Sequence, residues 1–165
     1  MIDKLEIERK FLLKAKPDLV VDEIIKINQF YFKNSEGIWE RARSYKSNIN
    51  GLRYIHTVKK RVSELSNIEE EYDMTKEEFE AFKRNCRNNK SYSKNIKKER
   101  WCYNVDGLVW EVDVFSDNCH IIIAEVEIPS EDYNLEIPEI ISKKILMEVS
   151  GQKQFSNRSL ANKLK

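Results

Sequence analysis

Cysteine is scarce in this chain: Cys86, Cys102 and Cys119 are the only three in 165 residues. Odd in number and widely spaced, they form neither a zinc pattern nor a disulfide framework. Cys119-His120 reads as a thiol beside a loop histidine rather than as a metal site. A reducing, cytoplasmic setting is expected. No apolar run is long enough to span a membrane as a helix, and the N-terminus lacks the basic-then-apolar order of a signal peptide. No repeat, low-complexity linker or shift in composition divides the chain, so one domain over residues 1–165 is expected, long enough for a real core. An excess of one charge sign is missing as well: 29 Lys and Arg stand against 28 Asp and Glu, a net charge of +1. That balance lacks the basic footprint of a nucleic-acid binder, and no membrane or stable nucleic-acid partner is expected. Charges are nonetheless plentiful, at 35% of residues. Either the surface is densely ion-paired or charges face one another inside.

The placement of those charges is informative. In the stretch Glu6-Ile7-Glu8-Arg9-Lys10, strand alternation puts Glu6, Glu8 and Lys10 on one face. Leu5, Ile7, Arg9, Phe11 and Leu13 share the other. Same-face neighbours on a strand lie about 7 Å apart. Two carboxylates and an ammonium at that spacing suit a site that holds metal ions and a polyanion together. Hard cations such as Mg²⁺ or Mn²⁺ take carboxylate oxygens, and a lysine meets phosphate as a point charge. An exposed, charge-studded edge strand has the same pattern.

Further along, Lys16-Pro17-Asp18 is a break, and residues 18–26 have the spacing of a short helix. A β-rich run covers 27–32, and Asn34 to Gly37 reads as a hairpin turn. Ile38 to Tyr45 is a strand with Arg41 and Arg43 on one face. After a turn at 48–51, Leu52 to Arg61 is a strand with Thr57, Lys59 and Arg61 together. Residues 69–74 place Glu69, Glu71 and Asp73 on one strand face. Thr75 with Glu78 has the form of a capping box and predicts a helix from Lys76 to about Cys86. Arg87 to Ser93 reads as loop. Ile96 to Asn104 carries Lys98 and Arg100 on one face. Asp106-Gly107 is a hairpin signal. It leads into Leu108–Phe115, where Glu111 and Asp113 share a side. A turn at Asp117-Asn118 precedes a strand over Ile121–Ile128, with Glu125 and Glu127 together. A second helix is expected over Ile137–Val149, then a polar tail from Gly151.

Acids and bases thus recur as i, i+2 pairs on different strands. An open sheet with one solvated face alternates in the same way. Such a face, however, usually mixes Thr, Ser, Gln and Asn with its charges. The density here fits better with a closed barrel whose apolar faces pack outward under helices and whose charged faces line a watery lumen. Closure would also remove exposed edges. Buried charges need partners, so such a lumen calls for matched signs, water and a charged ligand. Bases for phosphate oxygens and acids for a divalent metal meet that requirement.

These residues resemble the triphosphate tunnel metalloenzymes, or CYTH superfamily. Glu6 to Lys10 resembles its ExExK signature. Gln29-Phe30-Tyr31 is similar to the Q-x-Y of the short bacterial inorganic tripolyphosphatases. Arg41-Ala42-Arg43, Thr57-Val58-Lys59, Glu69-Glu70-Glu71, Lys98-Glu99-Arg100, Glu111 to Phe115 and Glu125-Val126-Glu127 resemble its later strands in order. Gln152 to Ala161 resembles its closing segment. Asn67 stands where an arginine often precedes the middle acidic pair, which leaves the register of Glu69 and Glu71 open by one or two residues.

The resemblance implies an α+β fold: a closed eight-stranded antiparallel β-barrel with helices outside. It implies Mg²⁺ or Mn²⁺ on Glu6, Glu8, Glu125 and Glu127, with Asp113 and the Glu69/Glu71 pair binding a second metal or orienting water. Lys10, Arg41, Arg43, Lys59, Lys98, Arg100 and Lys153 would grip the phosphates. Tyr31 would assist catalysis beside Lys10, or simply be an aromatic at the tunnel mouth. Hydrolysis of a small-molecule triphosphate by a monomer or homodimer is expected. The alternatives are a class IV adenylyl cyclase and a non-catalytic polyphosphate or nucleotide binder.

Overall fold

The computed structural model describes residues 2–116 and 121–163. Asp117-Asn118 and Cys119-His120 therefore lie outside the described residues. In chain order the strands are β1 Ile2–Leu13, β2 Glu23–Lys33, β3 Trp39–Ser47, β4 Gly51–Arg61, β5 Ser66–Asp73, β6 Ser93–Val105, β7 Leu108–Phe115, β8 Ile122–Glu127 and β9 Ile145–Glu148. Helix α1 spans Lys76–Asn88, α2 Glu139–Ser142 and α3 Asn157–Lys163.

Neighbouring strands run β5-β4-β3-β2-β6-β7-β8-β1, and β1 pairs back onto β5, so eight antiparallel strands close a barrel. The closing register sets Leu5 opposite Ile68. Closure leaves no exposed edge on those eight strands at their paired lengths. The ninth strand, β9, pairs with the last residues of β1, Leu12 opposite Met147. Between its β5 and β9 partners, β1 is served by loops. The Glu8 N–H donates to the Leu65 carbonyl (3.1 Å), and the Lys10 N–H to Ser150 Oγ (2.9 Å). The Val149 N–H donates to the Lys10 carbonyl (2.8 Å). Residues 63–65 and 149–151 thus form the barrel wall beside Glu8 and Lys10. Gly151 sits at φ 68°, and a Cβ there would meet the Glu64 carbonyl at 3.1 Å, so a side chain would force these two loops apart.

The alternation sorts residues as the charges suggested. Outside, Ile7, Phe11, Trp110, Val112 and Val126 pack under residues 135–145. Phe30 and Ala42 pack under α1, against its Phe79 and Cys86. Each such fully buried side chain is worth about 1.5–3 kcal/mol. Helix α1 opens with the expected capping box: the Glu78 N–H donates to Thr75 Oγ1, and the Thr75 N–H to the Glu78 carboxylate. Between β6 and β7, Asp106 and Gly107 both take positive φ (53° and 79°), the geometry of a tight hairpin.

Three expectations are corrected. Residues 18–26 form no helix: β2 begins at Glu23, and Ile25 and Ile27 are buried on either side of exposed Lys26, a period of two. The short apolar run was compatible with either period, and pairing with β3 and β6 decides it. The helix expected over 137–149 is the single turn α2 followed by β9. Residues 145–148 instead satisfy the edge of β1 that β5 has left, an obligation of backbone N–H and C=O groups that outweighs helix propensity. The polar tail is also structured. A 3₁₀ turn over Lys153–Phe155 leads into α3, whose Leu160 and Ala161 are each 1% exposed. They plug one end of the lumen against Tyr31, Ile96, Phe115 and Ile123.

Candidate active site

The lumen holds a cavity of about 380 Å³, bordered also by Glu64, Leu65, Asn67 and residues 149–153. Alternate residues of the strands supply its walls. From β1 come Glu6, Glu8 and Lys10; from β3, Arg41 and Arg43; from β4, Thr57 and Lys59. Glu69 on β5, Lys98 and Arg100 on β6, Glu111 on β7 and Glu125 on β8 complete it. Tyr31 and Lys153 also line it. Cross-strand register explains the convergence: Tyr31 faces Arg41, Lys59 faces Glu69, Lys10 faces Glu125 and Glu111 faces Glu125.

The charges interlock. Lys59 Nζ reaches Glu6 (2.6 Å), Glu69 (3.0 Å) and Glu8 (3.7 Å). Lys10 reaches Glu125 (2.9 Å) and Glu8 (3.7 Å). Arg43 binds Glu71 and Tyr45 Oη, and Arg41 lies 3.6 Å from Glu69. Arg100 grips Asp113 with two nitrogens at 2.7 and 2.8 Å, binds Glu111 and reaches Glu125 at 3.2 Å. Lys98 binds Asp113, with Asn157 Oδ1 at 3.4 Å. Tyr31 Oη accepts from Gln29 Nε2 (3.2 Å).

These contacts divide the carboxylates. Burial alone would raise Glu69, but Arg41, Lys59 and Arg43 outweigh it and bring Glu69 down to about 2. Burial pushes Glu6 up to about 7 against the pull of Lys59, with Glu8 and Glu69 adding to the rise. Among the bases, burial and Arg100 bring Lys98 down to about 8 despite Asp113. Burial also disfavours charge on Lys10, but Glu125 and Glu8 outweigh it and raise the ammonium above its ordinary range.

Three expected site residues stand apart from the cavity lining. Asp113 is 0% exposed and lies behind Lys98 and Arg100, where it fixes both side chains. Glu71 is turned to Arg43 and to Thr57 Oγ1, which donates to it at 2.8 Å. Glu127 is half exposed and paired with Lys4 at 2.8 Å. The register that Asn67 left open is the one with Glu69 facing the cavity. Glu111 carries a site position that was legible only as the partner of Asp113 in the alternation. Asn157 belongs to the closing segment that the resemblance picked out, whereas Ser150 had no signal, because a loop brings it in.

Two observations bear on what the cavity accepts. The Nε–H groups of Arg41 and Arg43 are buried without a partner, and a buried donor left unpaired costs about 1–3 kcal/mol. An anion reaching both arginines would supply acceptors. For a cation, no three acidic, histidine or cysteine side chains among the described residues form a ready metal cage. The Glu6–Glu8 pair does fit a hard ion of the Mg²⁺ type, which is commonly held by one or two carboxylates plus substrate phosphates. The raised affinity of Glu6 for a proton marks it as a carboxylate whose charge is under-compensated.

No protein-family model matches the chain. An inorganic triphosphatase of Acetivibrio thermocellus is 28% identical over 159 residues, which span 94% of this chain and 92% of that protein. The solved structure of an inorganic triphosphatase superposes with a TM-score of 0.61 at 26% identity, covering 94% of this chain and 93% of the other. A protein of Pyrococcus horikoshii shares the fold, with a TM-score of 0.54 at 17% identity over 77% of this chain and 80% of its own.

Proposed function

We propose that the chain is a triphosphate tunnel metalloenzyme that hydrolyses a linear triphosphate, inorganic tripolyphosphate foremost, with a divalent cation of the Mg²⁺ or Mn²⁺ type. One observation carries this reading: six bases, Lys10, Arg41, Arg43, Lys59, Lys98 and Arg100, converge on one cavity that also holds the Glu6–Glu8 pair. The similarity to inorganic triphosphatases supports the same reaction.

Phosphoryl transfer asks mostly for positioning and charge neutralisation. Arg41 and Arg43 take non-bridging phosphate oxygens through the N–H groups that lack partners. Lys10 and Lys59 follow as point charges, exchanging part of their carboxylate contacts for phosphate. Asp113 keeps Lys98 and Arg100 aimed inward. A divalent cation on Glu6 and Glu8 would neutralise charge on the phosphoryl oxygens. Water then attacks the terminal phosphorus, the bridging P–O bond breaks, and orthophosphate and pyrophosphate result from tripolyphosphate. Glu69, kept ionised by Arg41 and Lys59, is suited to orient the water, whose proton passes to a cavity carboxylate. Tyr31, opposite Arg41 in the strand register, lines the same cavity.

The free, buried thiols of Cys86 and Cys102 fit work in a reducing cytoplasm. The test is a substrate panel: tripolyphosphate, ATP, GTP and thiamine triphosphate with Mg²⁺ or Mn²⁺, products resolved by chromatography. Orthophosphate, released fastest from tripolyphosphate, is expected. Cyclic AMP with pyrophosphate from ATP would overturn hydrolysis in favour of cyclisation. Tight binding without turnover would leave only a binding module.

A further inference from the structure

One polar side chain inside the barrel has no part in the interlocked charges. Gln29 lies on the inward face of β2, two residues from Tyr31, and is 0% exposed. Its surroundings are apolar: Ile27, before it on the same face, and Ile96, opposite it on β6, are both buried. An amide has two N–H hydrogens and a carbonyl oxygen to satisfy. Among the described residues the Gln29 side chain makes one hydrogen bond, Nε2 donating to Tyr31 Oη at 3.2 Å, and its Oε1 is buried without a partner. A buried acceptor left unpaired is destabilising, and an apolar side chain of the same size would avoid that cost. Packing therefore gives no reason for a glutamine at this position. Its one bond does.

That bond decides what Tyr31 has left to offer. A tyrosine hydroxyl both accepts and donates. Here the oxygen accepts from Gln29, and among the described residues no acceptor takes the hydrogen. Tyr31 lines the cavity, and Gln29 stands behind that lining. The hydrogen is thus free for an acceptor in the lumen, and a phosphate oxygen is the acceptor that the surrounding bases would bring there. The second inward tyrosine of this wall differs. Tyr45 Oη accepts from Arg43 at 2.8 Å, but it packs against Ile25, Ile27 and Cys102, away from the cavity lining. The orientation of the Gln29 amide matters as well. With Oε1 turned to Tyr31, the carbonyl would take the phenolic hydrogen and leave none for a ligand. Only the N–H end leaves the hydroxyl as a donor.

We propose that Gln29 is a positioning residue: its amide holds the Tyr31 oxygen from behind, so that the Tyr31 O–H donates to a phosphate oxygen of the bound triphosphate. This rests on the reading of the cavity as a triphosphate site.

The test is a double-mutant cycle of Q29L and Y31F, read as tripolyphosphate affinity by calorimetric titration in chelator, so that turnover plays no part. Y31F should weaken binding about tenfold, the scale of one hydrogen bond to a charged group. Q29L should weaken it about fivefold when Tyr31 is present and by less than about twofold in the Y31F background. Q29M, close to glutamine in length and without a donor, carries the same cycle should Q29L fail to fold. Equal losses in both backgrounds would make Gln29 a packing residue, or one that acts through Arg43 opposite it on β3, and would overturn the proposal. Unchanged affinity in Q29L overturns it too. Orthophosphate release by the same samples separates the two readings. A protein that shows the coupling and hydrolyses nothing loses the hydrolase and keeps Gln29 in its role; one that hydrolyses tripolyphosphate without the coupling loses that role alone.

Discussion

Glu6 and Glu69 touch the same ammonium, that of Lys59, at 2.6 and 3.0 Å, yet their protons are held in opposite ways. Glu69 also faces Arg41 and Arg43 and stays ionised down to about pH 2. Glu6 faces Glu8 and Glu69 instead, and burial carries it up to about 7. The lumen therefore has a side where carboxylates are already neutralised by arginine and a side where they are not. Only the second has charge to offer a cation. The first fixes the arginines that meet the anion.

Substitutions that break this division should be felt in proportion to the charge they remove. Glu8→Ala should lower divalent-dependent turnover by roughly a hundredfold or more, since a metal ion contributes several kcal/mol of charge stabilisation. Its far-UV circular dichroism should stay unchanged, and a wild-type rate would remove Glu8 from the metal side. Lys59→Ala should weaken tripolyphosphate binding by about tenfold, the scale of one charge-assisted contact. Unchanged affinity in calorimetry would take Lys59 out of the phosphate grip.

The pH dependence sharpens the contrast. Glu6, raised from 4.5 to about 7, holds an extra proton in the native state across that window. Its contribution to stability is full below pH 4.5 and is lost as pH rises through 7. Glu69, lowered to about 2, contributes above pH 4.5 and loses that contribution as pH falls towards 2. Denaturation midpoints of metal-free protein should thus lose a falling limb between pH 4.5 and 7 in Glu6→Gln, an effect on the order of 1 kcal/mol after solvent screening. A limb that survives would place its origin elsewhere. Thr75→Ala, outside the tunnel, should cost about 1 kcal/mol in unfolding free energy and leave the rate unaltered.

Much of this arrangement was legible in the chain because a strand's period of two is read directly from residues such as Lys98 and Arg100, or Glu6 and Glu8. The capping box of Thr75 and Glu78 was equally local. What escaped was decided by partners distant in sequence. Residues 145–148 became a strand only because β1 had a free edge beside them. Ser150 reaches the cavity through a loop whose path depends on the close approach of Gly151 to Glu64. The alternation of Glu125 and Glu127 is real, yet the short β8 ends at Glu127, which lies beside Lys4 at the surface rather than in the cavity. A period of two tells which face a residue shares. It does not tell how far along the barrel axis the enclosed space extends.

The most direct test of the division is Mn²⁺ binding followed by electron paramagnetic resonance in wild-type protein, Glu6→Gln and Glu69→Gln. Loss of bound Mn²⁺ in Glu6→Gln with retention in Glu69→Gln is the expected result. Retention in Glu6→Gln, with loss in Glu69→Gln, would contradict it and move the cation to the arginine side of the tunnel.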